Sequence, residues 1–219
     1  MSEQEAVIVI CARPESRRVP NKIFYKLAGT TVLEHVVKRC LATGYPTILA
    51  VPEEHCWSMK IMLGVKYPKL IFYGGEADSP LHRTAAVLDK VFPGARYVVR
   101  VTCDDPLIDA QTIKELVAEC IKQEAIYGST PEIVKGAGAE VVLASHWVTV
   151  ARGTEIQTEM SRYFILAGVL EDRVVHLKPR ESIRRAYRLE LDYPEDATLL
   201  SILFGVHGPE MTADDACTY

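Results

Sequence analysis

Apolar residues along the chain gather into short runs at Ala6–Cys11, Thr47–Val51, Leu70–Tyr73 and Tyr97–Thr102, each of strand length. Between them lie segments with helical spacing, Thr31–Thr43, Glu53–Leu63 and Leu81–Val91. This alternation predicts an α/β fold, a mostly parallel sheet with helices on both faces. The first helix is the most sharply patterned. Val32, Leu33, Val36, Val37, Cys40 and Leu41 make one apolar stripe, Glu34, Lys38 and Arg39 lie on the other face, and Gly44 followed by Tyr45 and Pro46 ends it. A further helix is predicted after Asp109, a candidate N-cap, from the spacing of Ile113, Leu116, Val117, Cys120 and Ile121.

Beyond residue 123 the pattern loosens. The stretch 128–138 is rich in turn formers, and short alternating runs return at Ala139–Leu143, Val174–Leu177 and Tyr187–Leu191. A smaller mixed region packed on the first half is expected here, within a single domain spanning 1–219 whose halves are 6–123 and 124–207. Tyr193-Pro-Glu-Asp opens a last helix, with proline and acids in the first turn where the helix dipole favours them. The tail from Gly208 is polar and is expected to fray. Trp57 and Trp147 read as packing residues rather than as platforms for stacked bases.

With 219 residues, 48% of them hydrophobic, the chain can bury a substantial core. Its apolar run nearest the N-terminus is too short for a signal peptide or a membrane span, so a cytoplasmic protein without a membrane partner is expected. Six cysteines without a Cys-x-x-Cys pair indicate neither a zinc site nor a disulfide framework, and six histidines lack metal-ligand spacing. A formal charge of −4 and a pI near 5.9 argue against a nucleic-acid binder. Against that acidic background, Arg13, Arg17, Arg18, Lys22 and Lys26 crowd into fourteen positions with Glu15 as the sole acid among them. The positive charge is local, and it suits a small anion.

In open α/β sheets, ligands bind at the carboxyl ends of strands, so residues that follow strands carry the chemistry. After the first strand, Arg13, Ser16, Arg18 and Lys22 could present cations, a hydroxyl and backbone N–H groups to phosphate oxygens. A solvated surface loop would carry the same charges; the position directly after a buried strand favours a phosphate site. The loop is neither a Walker A loop nor a dinucleotide fingerprint, and Lys135-Gly-Ala-Gly-Ala-Glu140 lacks the third glycine of the latter. After the Tyr97–Thr102 run come Asp104 and Asp105, adjacent carboxylates that repel unless a cation or a helix cap relieves them. Magnesium is commonly held by one or two carboxylates together with substrate phosphates. The alternative is that both acids cap a turn before Pro106. Asp192, at the end of an apparent strand, is a second carboxylate source, although on its own an N-cap is its simplest role.

Taken in order, these segments resemble the cytidylyltransferases that make CMP-activated sugars and sugar acids, and among them the spore-coat-polysaccharide (SpsF-like) branch. Ala12, Arg13, Ser16, Arg18, Pro20 and Lys22 match that family's Ala-Arg-x-x-Ser-x-Arg-x-Pro-x-Lys opening. Leu27-Ala-Gly-Thr-Thr-Val-Leu-Glu-His35 is similar to Leu-x-Gly-x-Pro-Leu-Leu-x-His, with Thr31 in place of proline. The segment 75–83 keeps the glycine, Asp78, Leu81 and Arg83 of its counterpart. Arg100-Val-Thr-Cys-Asp-Asp-Pro-Leu-Ile-Asp109 and Arg188-Leu-Glu-Leu-Asp-Tyr-Pro-Glu-Asp196 complete the series.

The resemblance implies a glycosyltransferase-A-like, Rossmann-like fold and transfer of CMP from CTP to a sugar, sugar acid or related acceptor, with release of pyrophosphate. It implies Mg2+ on Asp104 and Asp192. It also implies a nucleotide site of Ala12, Arg13, Ser16, Arg18, Lys22, Asp78 and Arg83, with Arg13, Lys22 and Asp104 nearest the reaction. Relatives of this kind are often homodimers. Acceptor contacts are expected from Glu140, Arg162 and Tyr163. The chain departs from the branch at Gly136-Ala-Gly-Ala-Glu140, where an aspartate is lost, and at Glu159-Met-Ser-Arg162. Both departures fall where the acceptor is expected. Two rival readings stand beside this one. A glycosyltransferase of similar fold would carry an Asp-x-Asp metal motif, which Asp104-Asp105 does not supply, and a non-catalytic nucleotide-binding protein would have no need of both acidic strand ends.

Overall fold

A computed structural model describes residues 4–16, 18–155 and 165–218. The four predicted strands form as β1 (Gln4–Cys11), β2 (Thr47–Pro52), β3 (Leu70–Gly75) and β4 (Ala95–Thr102), followed by β5 (Tyr127–Ser129), β6 (Glu140–Leu143) and β7 (Val174–His176). They make one seven-stranded sheet in the order β3-β2-β1-β4-β6-β5-β7. The pairs β3–β2, β2–β1 and β1–β4 are parallel, β6 runs antiparallel to both β4 and β5, and β7 is parallel to β5. The mixed C-terminal region therefore extends the same sheet, and the α/β, Rossmann-like expectation is met.

Alternation along β1 explains why helices must cover both faces. Ala6, Ile8 and Ile10 pack with Leu33, Val36, Val37 and Cys40 of α1 (Val32–Ala42) and with Ile113, Leu116 and Val117 of α4 (Ala110–Lys122). Val7 and Val9 pack on the opposite face with Leu81, Val87 and Leu88 of α3 (Pro80–Lys90) and with Trp147 and Ala151 of α5 (Ala144–Arg152). α2 (Glu53–Leu63) contributes Met59 and Leu63 to the first of these clusters. The helix starts are chemically marked. Thr31 and Glu34 form a reciprocal capping box on α1, and Asp109 accepts the Thr112 amide at 2.8 Å on α4.

Several expectations change. Tyr187–Leu191 does not form a strand: it makes one isolated bridge, between Lys135 and Arg188, and is pinned by Leu189 N–H to the Lys135 carbonyl (2.7 Å) and Leu191 N–H to the Asp104 carbonyl (2.8 Å). The tail does not fray. Thr212 caps a single-turn helix, Ala213–Ala216, and Met211, Ala216 and Cys217 are buried against α6 (Pro194–His207) and its loops. Arg39 fastens this tail, donating from Nε to the Pro106 carbonyl at 2.7 Å and from its guanidinium to the Met211 carbonyl. Trp147 is a core residue whose Nε1–H donates to the Leu81 carbonyl at 3.0 Å, but Trp57 is 71% exposed on α2. α5 lacks a sequence signal because it leaves β6 directly, with Leu143 at the N-cap and no side-chain cap.

Candidate active site

Strand order turns between β1 and β4, since the chain crosses from the β1-β2-β3 side to the other half of the sheet there. That switch point leaves a crevice at the carboxyl ends of the two strands, where a ligand can reach backbone and side chains of both connections. A cleft of 710 Å³ lies there, lined by Ala12, Arg13, Ser16, Arg18 and Lys22 from the loop after β1 and by Thr102, Cys103 and Asp104 from the end of β4. Glu15, Arg83, Arg100, Glu190 and Asp192 complete its charged wall.

Its centre is an ion cluster. The Lys22 ammonium donates to Asp104 Oδ2 and, at 2.8 Å, to Asp192 Oδ1. The three side chains are 12%, 19% and 16% exposed, so the cluster is largely withdrawn from water. Burial alone pulls the Lys22 pKa down, but Asp104 and Asp192 overcome it and hold the ammonium above the usual lysine range. For Asp192, burial works upward and is outweighed by the hydrogen bond and charge of Lys22 and the charge of Arg18, leaving its pKa below the usual aspartate value. Arg18 bonds Asp192 Oδ1 at 2.9 Å and the Tyr193 hydroxyl at 3.2 Å, with its guanidinium 4.9 Å from the Tyr193 ring centroid.

Local chain geometry explains why residues 82 and 170 positions distant in sequence from Lys22 meet it. Lys22 opens a 3₁₀ turn, Lys22–Phe24, entered through Asn21 in the left-handed region at φ 55°. The Leu191 N–H to Asp104 carbonyl bond fastens the two acidic segments side by side. Asp196, not Asp192, caps α6: its Oδ2 accepts the Asp192 and Tyr193 amides at 2.9 and 2.7 Å, and Arg188 holds its other oxygen at 2.8 Å. The Asp192 carboxylate is thereby left to face the cleft.

Asp104 and Asp105 part company after β4. Asp105 is buried and paired with the Thr102 hydroxyl; burial first, then the Asp104 charge, push its pKa well above the ordinary aspartate value. Arg83 is buried and spends its NH1 group on the carbonyls of Glu76 (2.6 Å) and Ala77 (3.1 Å), bracing the loop before α3. Asp78 on that loop is exposed and does not line the cleft. Glu140 lines a second, adjoining cavity of 360 Å³, where its Oε2 accepts from Arg100 at 2.9 Å and its Oε1 from the Tyr127 hydroxyl at 2.6 Å. Arg17, Arg162 and Tyr163 lie outside the described residues. Sequence reasoning missed Arg100 and Glu190, which line both cavities. The signal was available: each is a charged residue set between buried apolar neighbours shortly before a recognised acid, Arg100 four residues before Asp104 and Glu190 two before Asp192.

Among the described residues no group of three or more His, Cys, Asp or Glu side chains is assembled into a metal cage. A pair of carboxylates sharing one cation at a strand end is a different arrangement, and it fits a hard divalent ion that keeps most of its shell for phosphate and water.

A parallel-sheet switch point carrying a basic loop and two clustered acids defines a nucleotide-handling α/β protein of the nucleotidyltransferase class. Comparison with known proteins makes this specific: the cytidylyltransferase family model matches residues 7–168, and the chain belongs to that family of CTP-dependent nucleotidyltransferases. It is 24% identical to the spore coat polysaccharide biosynthesis protein SpsF of Bacillus subtilis over 234 residues, covering 98% of this chain and 93% of the relative. It is also 24% identical to the 3-deoxy-manno-octulosonate cytidylyltransferase of Elusimicrobium minutum, covering 96% and 95% of the two chains. In three dimensions it resembles a cytidylyltransferase from Leptospira borgpetersenii at a TM-score of 0.84 and 18% identity, covering 98% of this chain and 93% of that one. Among the described residues no helix is long and apolar enough to cross a membrane.

Proposed function

We propose that the protein transfers CMP from CTP to a small sugar-type acceptor, with Mg2+ as cofactor, in a route to an activated sugar for polysaccharide assembly. An acceptor oxygen attacks the α-phosphorus and forms the new P–O bond. The bond from the α-phosphorus to the bridging oxygen breaks, its electron pair leaves with pyrophosphate, and the acceptor's proton passes to water. The observation that carries this reading is the Lys22 ammonium held between Asp104 and Asp192 at the carboxyl end of β4, beside the loop bearing Arg13 and Arg18.

In this reading Arg13, Ser16, Arg18 and Lys22 bind the triphosphate and stabilise charge that accumulates on the departing pyrophosphate. Asp104 and Asp192 would hold magnesium, which when bound supplies charge neutralisation at the α-phosphate. Lys22 serves two partners in turn. Without nucleotide it neutralises the two carboxylates; with nucleotide it moves to the phosphates. Arg83 acts by keeping the 75–79 loop closed over one wall of the cleft. The half 124–207, through Glu140 and the adjoining cavity, receives the acceptor. The names of the relatives favour a sugar or sugar acid in that role.

The test is pyrophosphate release with each nucleoside triphosphate against a panel of sugars, sugar acids and sugar phosphates. CTP is expected to support turnover, and Asp104→Asn to lower it by about two to four orders of magnitude while the protein stays folded. No release from any triphosphate, together with no CTP binding by calorimetry, overturns the proposal.

A further inference from the structure

α2 is apolar on two sides. Met59 and Leu63 are buried in the core, while Trp57, Ile61 and Met62 stand exposed on the outer side and Val65, just past the helix end, is 95% exposed. Large apolar side chains gathered on one surface mark a contact site, where a single one would carry no meaning. Tryptophan in particular is a residue that anchors interfaces. The strand that α2 packs on is equally open. β3 is the last strand of the sheet, and among the described residues it pairs only with β2. Its free edge, Leu70-Ile-Phe-Tyr-Gly-Gly75, holds neither a charge nor a proline, the devices that ordinarily keep an edge from pairing. A groove of 500 Å³ between the two elements is lined by Cys56, Trp57, Leu70, Ile71 and Phe72, together with Glu53 and Lys60.

A second copy of this chain answers both features at once. A two-fold axis perpendicular to the sheet at this edge sets β3 antiparallel to its own copy, with the main-chain hydrogen bonds of an antiparallel ladder. The same axis leaves α2 and its copy on one face of the joined sheet, side by side and antiparallel. Charge agrees with that direction. Glu53 and Glu54 occupy the first turn of α2 and Lys60 its last, so antiparallel helices bring acid to base at both ends and align their dipoles favourably. Parallel helices would set like charges together.

We propose that the protein forms a two-fold dimer through α2 and the free edge of β3, with Trp57 at the centre of the interface. Glu54 and Lys60 lie three residues before and three after Trp57, so with Trp57 on the axis each Glu54 falls opposite the partner's Lys60. No residue of α2 or β3 lines the larger cleft, and the inference is therefore independent of the nucleotide reading.

Sedimentation equilibrium on the full chain at micromolar concentrations tests it. The parent is expected to be a dimer, and Trp57→Lys to weaken association at least about thirtyfold. Should that variant fail to fold by thermal melting, Ile61→Lys, on the same exposed stripe, decides by the same measure. Glu54→Lys and Lys60→Glu each set like charges across the axis and are expected to weaken the dimer about threefold to tenfold. An equimolar mixture of those two variants is expected to restore it, because one of each makes two opposite-charge contacts. A monomeric parent overturns the inference. A dimer unmoved by Trp57→Lys overturns it as well, since its contact then lies elsewhere, as on the exposed Leu199, Ile202 and Val206 of α6. A mixture that associates no more tightly than its components overturns the antiparallel arrangement.

Discussion

Replacing Lys22 with methionine separates the two jobs assigned to it. The ammonium sits 2.8 Å from Asp192 Oδ1 and also contacts Asp104, so a divalent ion arriving alone must displace it. At an effective dielectric constant of about 20, a unit-charge pair at that separation attracts by roughly 6 kcal/mol. Burial takes back most of this. With the three side chains only 12% to 19% exposed, the water each charge gave up offsets much of the attraction, leaving a net of about 1–3 kcal/mol. Lys22→Met is therefore expected to bind Mg2+ or Mn2+ about ten to a hundredfold more tightly in the absence of CTP. Its CTP affinity should fall, because the triphosphate loses a charged anchor.

Calorimetric titration with each ion, and Mn2+ binding followed by electron paramagnetic resonance, read the first effect; calorimetry with CTP reads the second. A thermal melt adds an internal check. Without the ammonium the two carboxylates keep only Arg18, on Asp192, as a compensating charge, so the metal-free variant should melt below the parent and recover when Mg2+ is added, since a ligand that binds only the folded state stabilises it. A residue with a purely structural part would weaken both ligands. Metal affinity that is unchanged or lower in Lys22→Met refutes the reasoning.

Three further outcomes follow from single positions. Gly136→Ala should lower the melting temperature by several degrees and reduce turnover together, because at φ 96° an added Cβ would meet the Glu190 amide nitrogen at 2.6 Å and push away the segment that carries Asp192. His35 is buried, and burial, followed by the charges of Arg39 and Lys38, outweighs its bond to the Leu27 carbonyl to hold its pKa below the usual histidine value. The folded state then resists the proton that the unfolded chain accepts, so stability is fully present above about pH 6.5 and is lost as pH falls toward the folded pKa. His35→Gln should flatten that part of a melting-temperature profile. Arg180 donates to both Asp109 oxygens at 2.8 and 3.0 Å and also holds Asp214, clamping the C-terminal turn to the start of α4. Arg180→Met should cost about 1–2 kcal/mol in denaturant unfolding without altering CTP binding.

The parts of this molecule legible in the sequence are those where one local pattern decides the outcome. The covered strands β1 to β4, the stripe of α1 and the Asp109 cap needed only neighbours within a few residues. The loop from Arg13 to Lys22 was legible as a cationic site because charge density is local too. Elements fixed by distant partners were not legible. Tyr187–Leu191 alternates like a strand yet is held by carbonyls of Lys135 and Asp104, and the polar tail is ordered by Arg39 from α1. Asp192 looked like a cap in sequence, and the Asp196 side chain takes that role four residues later.

The same distant bonds explain how a weak sequence feature serves the site. Gly136 belongs to no recognised glycine motif, and its value lies in the close approach of the 189–190 backbone that a side chain would forbid. That approach lets Leu189 reach the Lys135 carbonyl, which sets Leu191 against Asp104 and leaves Asp192 beside it. Glu190, between them, lies 2.6 Å from the Lys135 ammonium. One backbone contact thus fixes the spacing of the carboxylate pair. A change at Gly136 should for that reason disturb cation binding at the Asp104–Asp192 pair along with stability.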